Sequence, residues 1–151
     1  MSRLVIRPES VMQIASDMTL LIQKHHEEVE DQRIPLVPDY NTYMEIEKLG
    51  MFHGFTARSN GELIGYATYT TMPMLHHLTT KAAVCDLLYI TPEHRGGWLG
   101  IKLLKFAENV LKDRGTDLLV MNIKAQHDFG AMLKRIGYEQ TEVQYSKHLG
   151  D

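Results

Sequence analysis

The stretch AAVCDLLYITPEHRGGWLGIKLL, residues 82–104, decides the fold. Its first nine residues are almost continuously apolar, as a strand covered on both faces has to be, and Thr91-Pro92 ends the run. Gly96, Gly97 and Gly100 follow within five positions, with Trp98 among them. Behind them Ile101, Leu104, Ala107 and Leu111 keep the spacing of one helix face, with Lys102, Lys105, Glu108 and Lys112 outside it and Gly115 at its end. At such a helix start free backbone N–H groups converge, the helix dipole favours negative charge, and missing side chains let a phosphate approach. The turn is neither a Walker loop, since no Gly-Lys-Ser/Thr follows, nor a G-x-G-x-x-G fingerprint. A tight turn with no ligand selects glycine too, so spacing alone leaves both uses open.

Outward from this core, the period of the apolar residues changes several times. RLVIRP reads as a strand stopped by Pro8, and Ser10 with Gln13 makes a capping-box start for a helix. Val11, Ile14, Ala15, Met18, Leu21 and Ile22 fill one face of that helix, which turns polar at KHHEEVED and is ended by two prolines. Asp39 caps a shorter helix that Gly50 closes. MFHGFTAR and ELIGYATYTTM alternate and flank Ser59-Asn60-Gly61, a hairpin signal. After the core, TDLLVMNI reads as a strand and Phe129, Met132, Leu133 and Ile136 stripe a last helix ended by Gly137. TEVQYSKHL, residues 141–149, alternates like a closing strand. The order implies a single α/β (α+β) domain over residues 1–151, its sheet mixed.

Composition narrows the function classes. The chain has 151 residues, 44% hydrophobic and 23% charged, and no apolar run long enough to span a membrane. MSRLVIRP lacks an apolar signal region, so a cytoplasmic location is expected. A formal charge of −3, from 16 basic and 19 acidic residues, disfavours nucleic acid as partner. The lone Cys85 sits in the apolar strand and reads as buried filler.

LLYITPEHRGGWLGIKLLKFAENVLKDRG resembles the acyl-CoA-binding core of the GNAT superfamily of N-acetyltransferases. That core is an apolar strand, a Val-x-Pro-Glu stop, then Arg/Gln-x-x-Gly-x-Gly/Ala entering a helix. Element order agrees along almost the whole chain, including IRP before the first helix, the Asn-Gly hairpin, and RIGYE where the family often has YEKLGF. The resemblance implies a central, mostly antiparallel mixed sheet flanked by about four helices. It also implies acetyl-CoA as acyl donor and a primary amine, small or on a protein, as acceptor. The pyrophosphate would sit on backbone N–H groups between Arg95 and Ile101, with Arg95, Gly96, Gly97, Trp98, Leu99, Gly100 and Ile101 forming the cradle. The pantetheine arm would lie along Leu88, Tyr89 and Ile90. Trp98 stands where the motif has its middle glycine, so its indole is expected to pack on neighbouring apolar groups, the alternative being a shelf over the coenzyme. Arginine, two glycines and a bulky residue in this order are similar to small phage and prophage acetyltransferases.

Transfer to an amine needs a proton acceptor, donors for a developing oxyanion and a proton for the departing thiolate. Asp86, a carboxylate inside an apolar strand, is the candidate base, the other reading being a carboxylate paired with a nearby lysine or arginine. His127, His76 and His77 are alternative bases. Leu133 stands where the family motif has its thiolate-protonating tyrosine, which leaves Tyr138 or Tyr145 as substitutes. That gap keeps a second reading in play, a non-catalytic acyl-CoA-binding or protein-interaction module of the same fold. The eight histidines show no metal-ligand spacing and are expected on the solvated surface, so no metal is expected. The acidic run HEEVED would border the acceptor groove by the resemblance and could attract a cationic amine. The alternating last segment offers an edge through which a homodimer could form.

Overall fold

The computed structural model describes residues 3–150. Strand β1 (Leu4–Glu9) leads into α1 (Val11–Val29), and α2 (Tyr40–Lys48) precedes the hairpin of β2 (Phe52–Ser59) and β3 (Glu62–Met72). Then come β4 (Ala82–Ile90), a 3-10 turn at Pro92–His94, α3 (Leu99–Asp113), β5 (Leu118–Met121) and α4 (Gly130–Arg135). The strands form one sheet in the order β1-β2-β3-β4-β5, antiparallel except for the parallel β4–β5 pair. The sheet is mixed and mostly antiparallel with four α-helices around it, as the sequence implies.

Local chemistry explains where the elements begin and turn. Ser10 accepts from the Gln13 amide while the Gln13 side chain accepts from the Ser10 N–H, so two free donors at the start of α1 are satisfied together. Asp39 caps α2 through the Thr42 amide. In the hairpin Ser59 faces Glu62, and Asn60 and Gly61 both take positive φ (51° and 85°), the two-residue geometry that follows the strands' own twist.

Two apolar layers sandwich the sheet. On one face Phe55, Ala67, Tyr69, Ala83 and Cys85 pack on Leu103, Ala107 and Leu111 of α3. On the other, Ile14, Met18, Leu21 and Ile22 of α1 cover Leu63, Tyr66 and Tyr89. Burial of each large side chain is worth about 1.5–3 kcal/mol, which outweighs the weak helix preference of short segments and fixes α1 and α3 on opposite faces.

Two expectations about extent need correction. The first helix is not ended by Pro35 and Pro38: it runs through most of the polar stretch, with His25 and Val29 on its buried face, and stops at Val29, short of both prolines. The closing strand does not form: residues 138–150 make no ladder, and Val143, Tyr145 and Leu149 are exposed. An alternating segment becomes a strand only where one of its faces is covered, and this one finds no apolar layer. His148 instead pairs with Asp31, 2.7 Å away, drawing the tail toward the end of α1.

At the β1–β2 edge, buried Arg58 donates from Nε to Glu9 (2.8 Å) and from Nη2 to its second oxygen (3.0 Å), with Asp17 also 3.0 Å away. Burial raises the Glu9 pKa, but hydrogen bonds from Arg58 and Thr56 outweigh it and hold the carboxyl below its usual range. Arg58→Ala would strand a buried carboxylate and is expected to cost about 3–5 kcal/mol in urea unfolding, whereas Glu9→Gln combined with Arg58→Met should recover part of that loss.

Candidate active site

The cleft depends on β4. Its parallel pairing with β5 runs from Ala82↔Leu118 to Cys85↔Met121 and ends there. Beyond Cys85, β4 therefore has β3 on one side and no ladder on the other. At the same place the β3–β4 register slips: Thr68 faces Leu87 and Tyr69 faces Cys85, which leaves Asp86 as an unpaired bulge residue. The bulge breaks the in–out alternation, so the consecutive residues Asp86 and Leu87 both line the cavity beneath α1.

Two cavities meet at this bulge. One, of about 380 Å³, lies between α1, the segment 30–39, α2 and β4. The other, of about 320 Å³, runs from β4 to the glycine turn and the loop after β5. Asp86, His25 and Glu30 line both. Leu88, Tyr89, Ile90, Arg95, Gly96, Gly97, Gly100 and His127 line the second, which brings most of the expected coenzyme residues to one wall.

The glycine turn is shaped to admit a ligand. Gly96 has φ +85°, which L side chains rarely adopt, and a Cβ added at Gly96, Gly97 or Gly100 would meet nothing within 4 Å. The backbone approach at the start of α3 is thus open, which fits a phosphate-bearing coenzyme. Trp98 caps α3 with φ −92° and ψ 1°, so no positive φ is asked of it. Its indole does not pack on apolar neighbours as expected: it is 71% exposed, because the turn carries it away from the cavity wall. Leu99 and Ile101 begin α3 beside it and do not line the cavity.

Arg95, expected to contribute its backbone to the cradle, has its side chain engaged elsewhere. Its guanidinium makes a bidentate pair with Glu28, its Nε donates to the Ile90 carbonyl (2.8 Å), and it lies over the Tyr89 ring. The hydrogen bond from Arg95 holds the Glu28 carboxyl below its usual range. The side chain thereby ties α1 to β4, and the backbone of the turn is left to face the cavity.

Asp86 is solvent-accessible from the cleft, yet the walls strip water from its carboxyl and raise its pKa, partly offset by a hydrogen bond from Tyr43 Oη (3.3 Å). Burial and the Asp86 charge push the Tyr43 phenol up to about 12, so it remains a donor. No lysine or arginine pairs with Asp86 among the described residues. Cys85 is buried behind it and its thiol is pushed up to about 12, as inert filler would be.

Other expected residues lie elsewhere. Leu133 is buried in α4. The Tyr138 hydroxyl is enclosed without a partner near Glu108 and Cys85, its pKa raised by burial, and it does not line the cleft. His76 and His77 are in the exposed β3–β4 connection, and Tyr145 in the exposed tail. Of the acidic run, Glu28 is taken by Arg95, Glu30 by Lys124 (3.0 Å) and Asp31 by Arg33 and His148. No group of three or more His, Cys, Asp or Glu side chains is placed to hold a metal among the described residues.

The sequence missed His25 and Tyr43. His25 was expected at the solvated surface with the other histidines, but it is buried, hydrogen-bonded through Nδ1 to Tyr66 Oη (2.9 Å) and stacked on Tyr89. His53 is buried as well, between Thr71 and Arg114. The signal for His25 was helical register: it stands three and four residues after Ile22 and Leu21 on the buried face.

Comparison with known proteins follows from this geometry. The model of the Acetyltransferase (GNAT) family matches residues 16–133. The chain belongs to this family. It is 31% identical over 99 residues to an aminoalkylphosphonate N-acetyltransferase of Salmonella typhimurium, a segment that makes up 64% of this chain and 63% of that protein. The chain thus matches less than two thirds of that relative's length. Ribosomal-protein-alanine N-acetyltransferase from Brucella melitensis superposes with a TM-score of 0.74 at 18% identity, covering 98% of this chain and 100% of the other. An acetyltransferase from Clostridium acetobutylicum, solved with acetyl-CoA, gives 0.71 at 15% identity and covers 97% of each. At such identities the two structures speak for the GNAT fold alone.

Burial pushes the imidazoles of His25 and His53 down to about 4, against an ordinary value of 6.5. Between those values the unfolded GNAT chain binds protons that the folded one does not, so stability is expected to fall as pH drops from 6.5 toward 4. His25→Phe should flatten that slope by on the order of 1–2 kcal/mol across the window, read from urea midpoints at stepped pH.

Proposed function

We propose that this chain is an acetyl-CoA-dependent N-acetyltransferase that acts as one domain over residues 1–151 and acetylates a primary amine in a ternary complex. The observation that carries the reading is the meeting of two cavities at Asp86, one ending at an open glycine turn and the other free of it. The named activities of the relatives, on aminoalkylphosphonates and on ribosomal-protein alanine, support an amine as acceptor. No helix of the described residues is long and apolar enough to cross a membrane.

Acetyl-CoA supplies an activated acetyl group, so no protein nucleophile is required. The backbone of Arg95 to Ile101 would hold its pyrophosphate at the start of α3. The edge of β4 from Leu88 to Ile90, which β5 does not pair, would hold the pantetheine arm, and its backbone N–H groups would supply donors for the developing oxyanion. Asp86, its pKa raised by the cleft walls, takes a proton from the acceptor's ammonium and so frees the neutral amine that attacks the thioester carbon, with Tyr43 Oη donating to the carboxylate. We assign the return of a proton to the departing sulfur to His127, which lines the coenzyme-side cavity, whereas Tyr138 is enclosed away from it.

Acetyl-CoA at millimolar concentration is expected to raise the melting temperature, since a ligand of the folded state stabilises it by mass action. Asp86→Asn should keep that shift and lose about 100-fold or more in kcat for thiol release. A wild-type pH profile should rise as the Asp86 carboxyl deprotonates, above the usual aspartate range, and the variant should lack that limb. Absence of any thermal shift removes the coenzyme from the reading, and an unchanged rate in the variant removes Asp86 from the base role.

A further inference from the structure

The cavity beneath α1 carries more chemistry than a place for an amine. Its wall is apolar over most of its extent, from Ile22 of α1 through Leu36 and Val37 to Ile46 of α2 and Leu87 of β4. Its polar side chains are Glu30, Asp39 and Asp86 with His25, His26, Thr42 and Tyr43, and among the described residues neither lysine nor arginine lines it. The carboxylates are not equivalent. Glu30 is neutralised by Lys124 and Asp39 is engaged in capping α2, which leaves Asp86 holding only the Tyr43 hydroxyl.

The wall is also held in place. His26 Nε2 bonds the Ile34 carbonyl at 2.8 Å, and Gln32 bonds the carbonyls of His26 and Glu30, which pins the segment after α1 against the helix end. Ile34 and Val37 stand at its surface 56% and 80% exposed, an apolar rim above an acidic floor. A volume of about 380 Å³ is near the lower end of small-molecule sites, which run from about 300 to 1,000 Å³.

We propose that the acceptor is an alkyl- or arylalkylamine: a primary amine whose ammonium meets Asp86 and whose body is apolar and uncharged. This rests on the reading of Asp86 as the group facing the reacting amine. An anionic acceptor such as an aminoalkylphosphonate would bring its negative charge into a cavity with no cationic side chain and a facing carboxylate. The lysine nearest to it, Lys124, lines the coenzyme-side cavity and is paired with Glu30. An aminoglycoside would bury hydroxyls and several ammonium groups against Ile22, Leu36 and Ile46 without partners.

Steady-state thiol release from acetyl-CoA, with phenethylamine, hexylamine, aminoethylphosphonate, an aminoglycoside and an alanine-terminated peptide as acceptors, tests the assignment. The two apolar amines are expected to exceed aminoethylphosphonate in kcat/KM by at least about tenfold. Val37→Lys changes an exposed rim residue and so should fold. It should narrow that ratio, chiefly by lowering KM for the phosphonate. Fastest turnover with the phosphonate, the aminoglycoside or the peptide overturns the acceptor class while leaving acetyl transfer in place. No thiol release with any acceptor, together with no acetyl-CoA thermal shift, overturns both readings.

Discussion

Everything in the cleft depends on β4 losing its neighbour half-way along. A parallel pair needs evenly spaced hydrogen bonds on both strands, and β5 supplies only four residues before it ends at Met121. The remaining half of β4 then presents an unpaired edge, which in a globular protein is costly unless water or a ligand satisfies it. In the same half the bulge at Asp86 turns two consecutive residues toward α1. One irregularity opens the coenzyme side and the other aims a carboxylate at the acceptor side, and they are a single residue apart. A regular five-stranded sheet with the same core would have neither cavity.

The end of α1 makes this opening rigid. Glu28 is shared between the Arg95 guanidinium and the Tyr89 hydroxyl, Tyr89 stacks on His25, and His25 is bonded to Tyr66. The chain of contacts joins α1, β3, β4 and the glycine turn at the point where hydrogen bonding between β4 and β5 stops. The Glu28–Arg95 pair is about one-third exposed, so it is worth about 1 kcal/mol at most and its value is geometric. The buried stacking beneath it supplies the larger part, since aromatic contacts add to burial that is already nearly complete.

Much of this was legible in the residues because it follows local rules. The capping box at Ser10, the Asn60-Gly61 turn, the apolar run of β4 and the glycine turn each depend on neighbours within a few positions. Asp86 was legible for a related reason, as a charge where a covered strand should have none. What stayed hidden depends on distant partners. Residues 141–149 alternate like a strand, but no pattern within them reports that a covering layer is missing. Trp98 is a large apolar side chain, yet the turn directs it outward. His25 looks polar in KHHEEVED, and only the arrival of Tyr66 and Tyr89 from the sheet makes its burial tolerable.

The acidic run shows how partner geometry divides labour among like residues. Glu28, Glu30 and Asp31 lie within four positions, and each is matched with a cation: Arg95, Lys124 and Arg33. The carboxyls of Glu28 and Asp31 are held below their usual range by hydrogen bonds from Arg95 and Arg33, which makes them poor proton acceptors at neutral pH. Asp86, fifty-five residues after Asp31, has the opposite environment: partial burial that raises its pKa, and one neutral hydrogen-bond donor, Tyr43. The charges a composition count would assign to substrate attraction are thus largely neutralised in holding the cleft together. The one carboxylate at the bulge forms no ion pair among the described residues, and that is the property a proton acceptor needs.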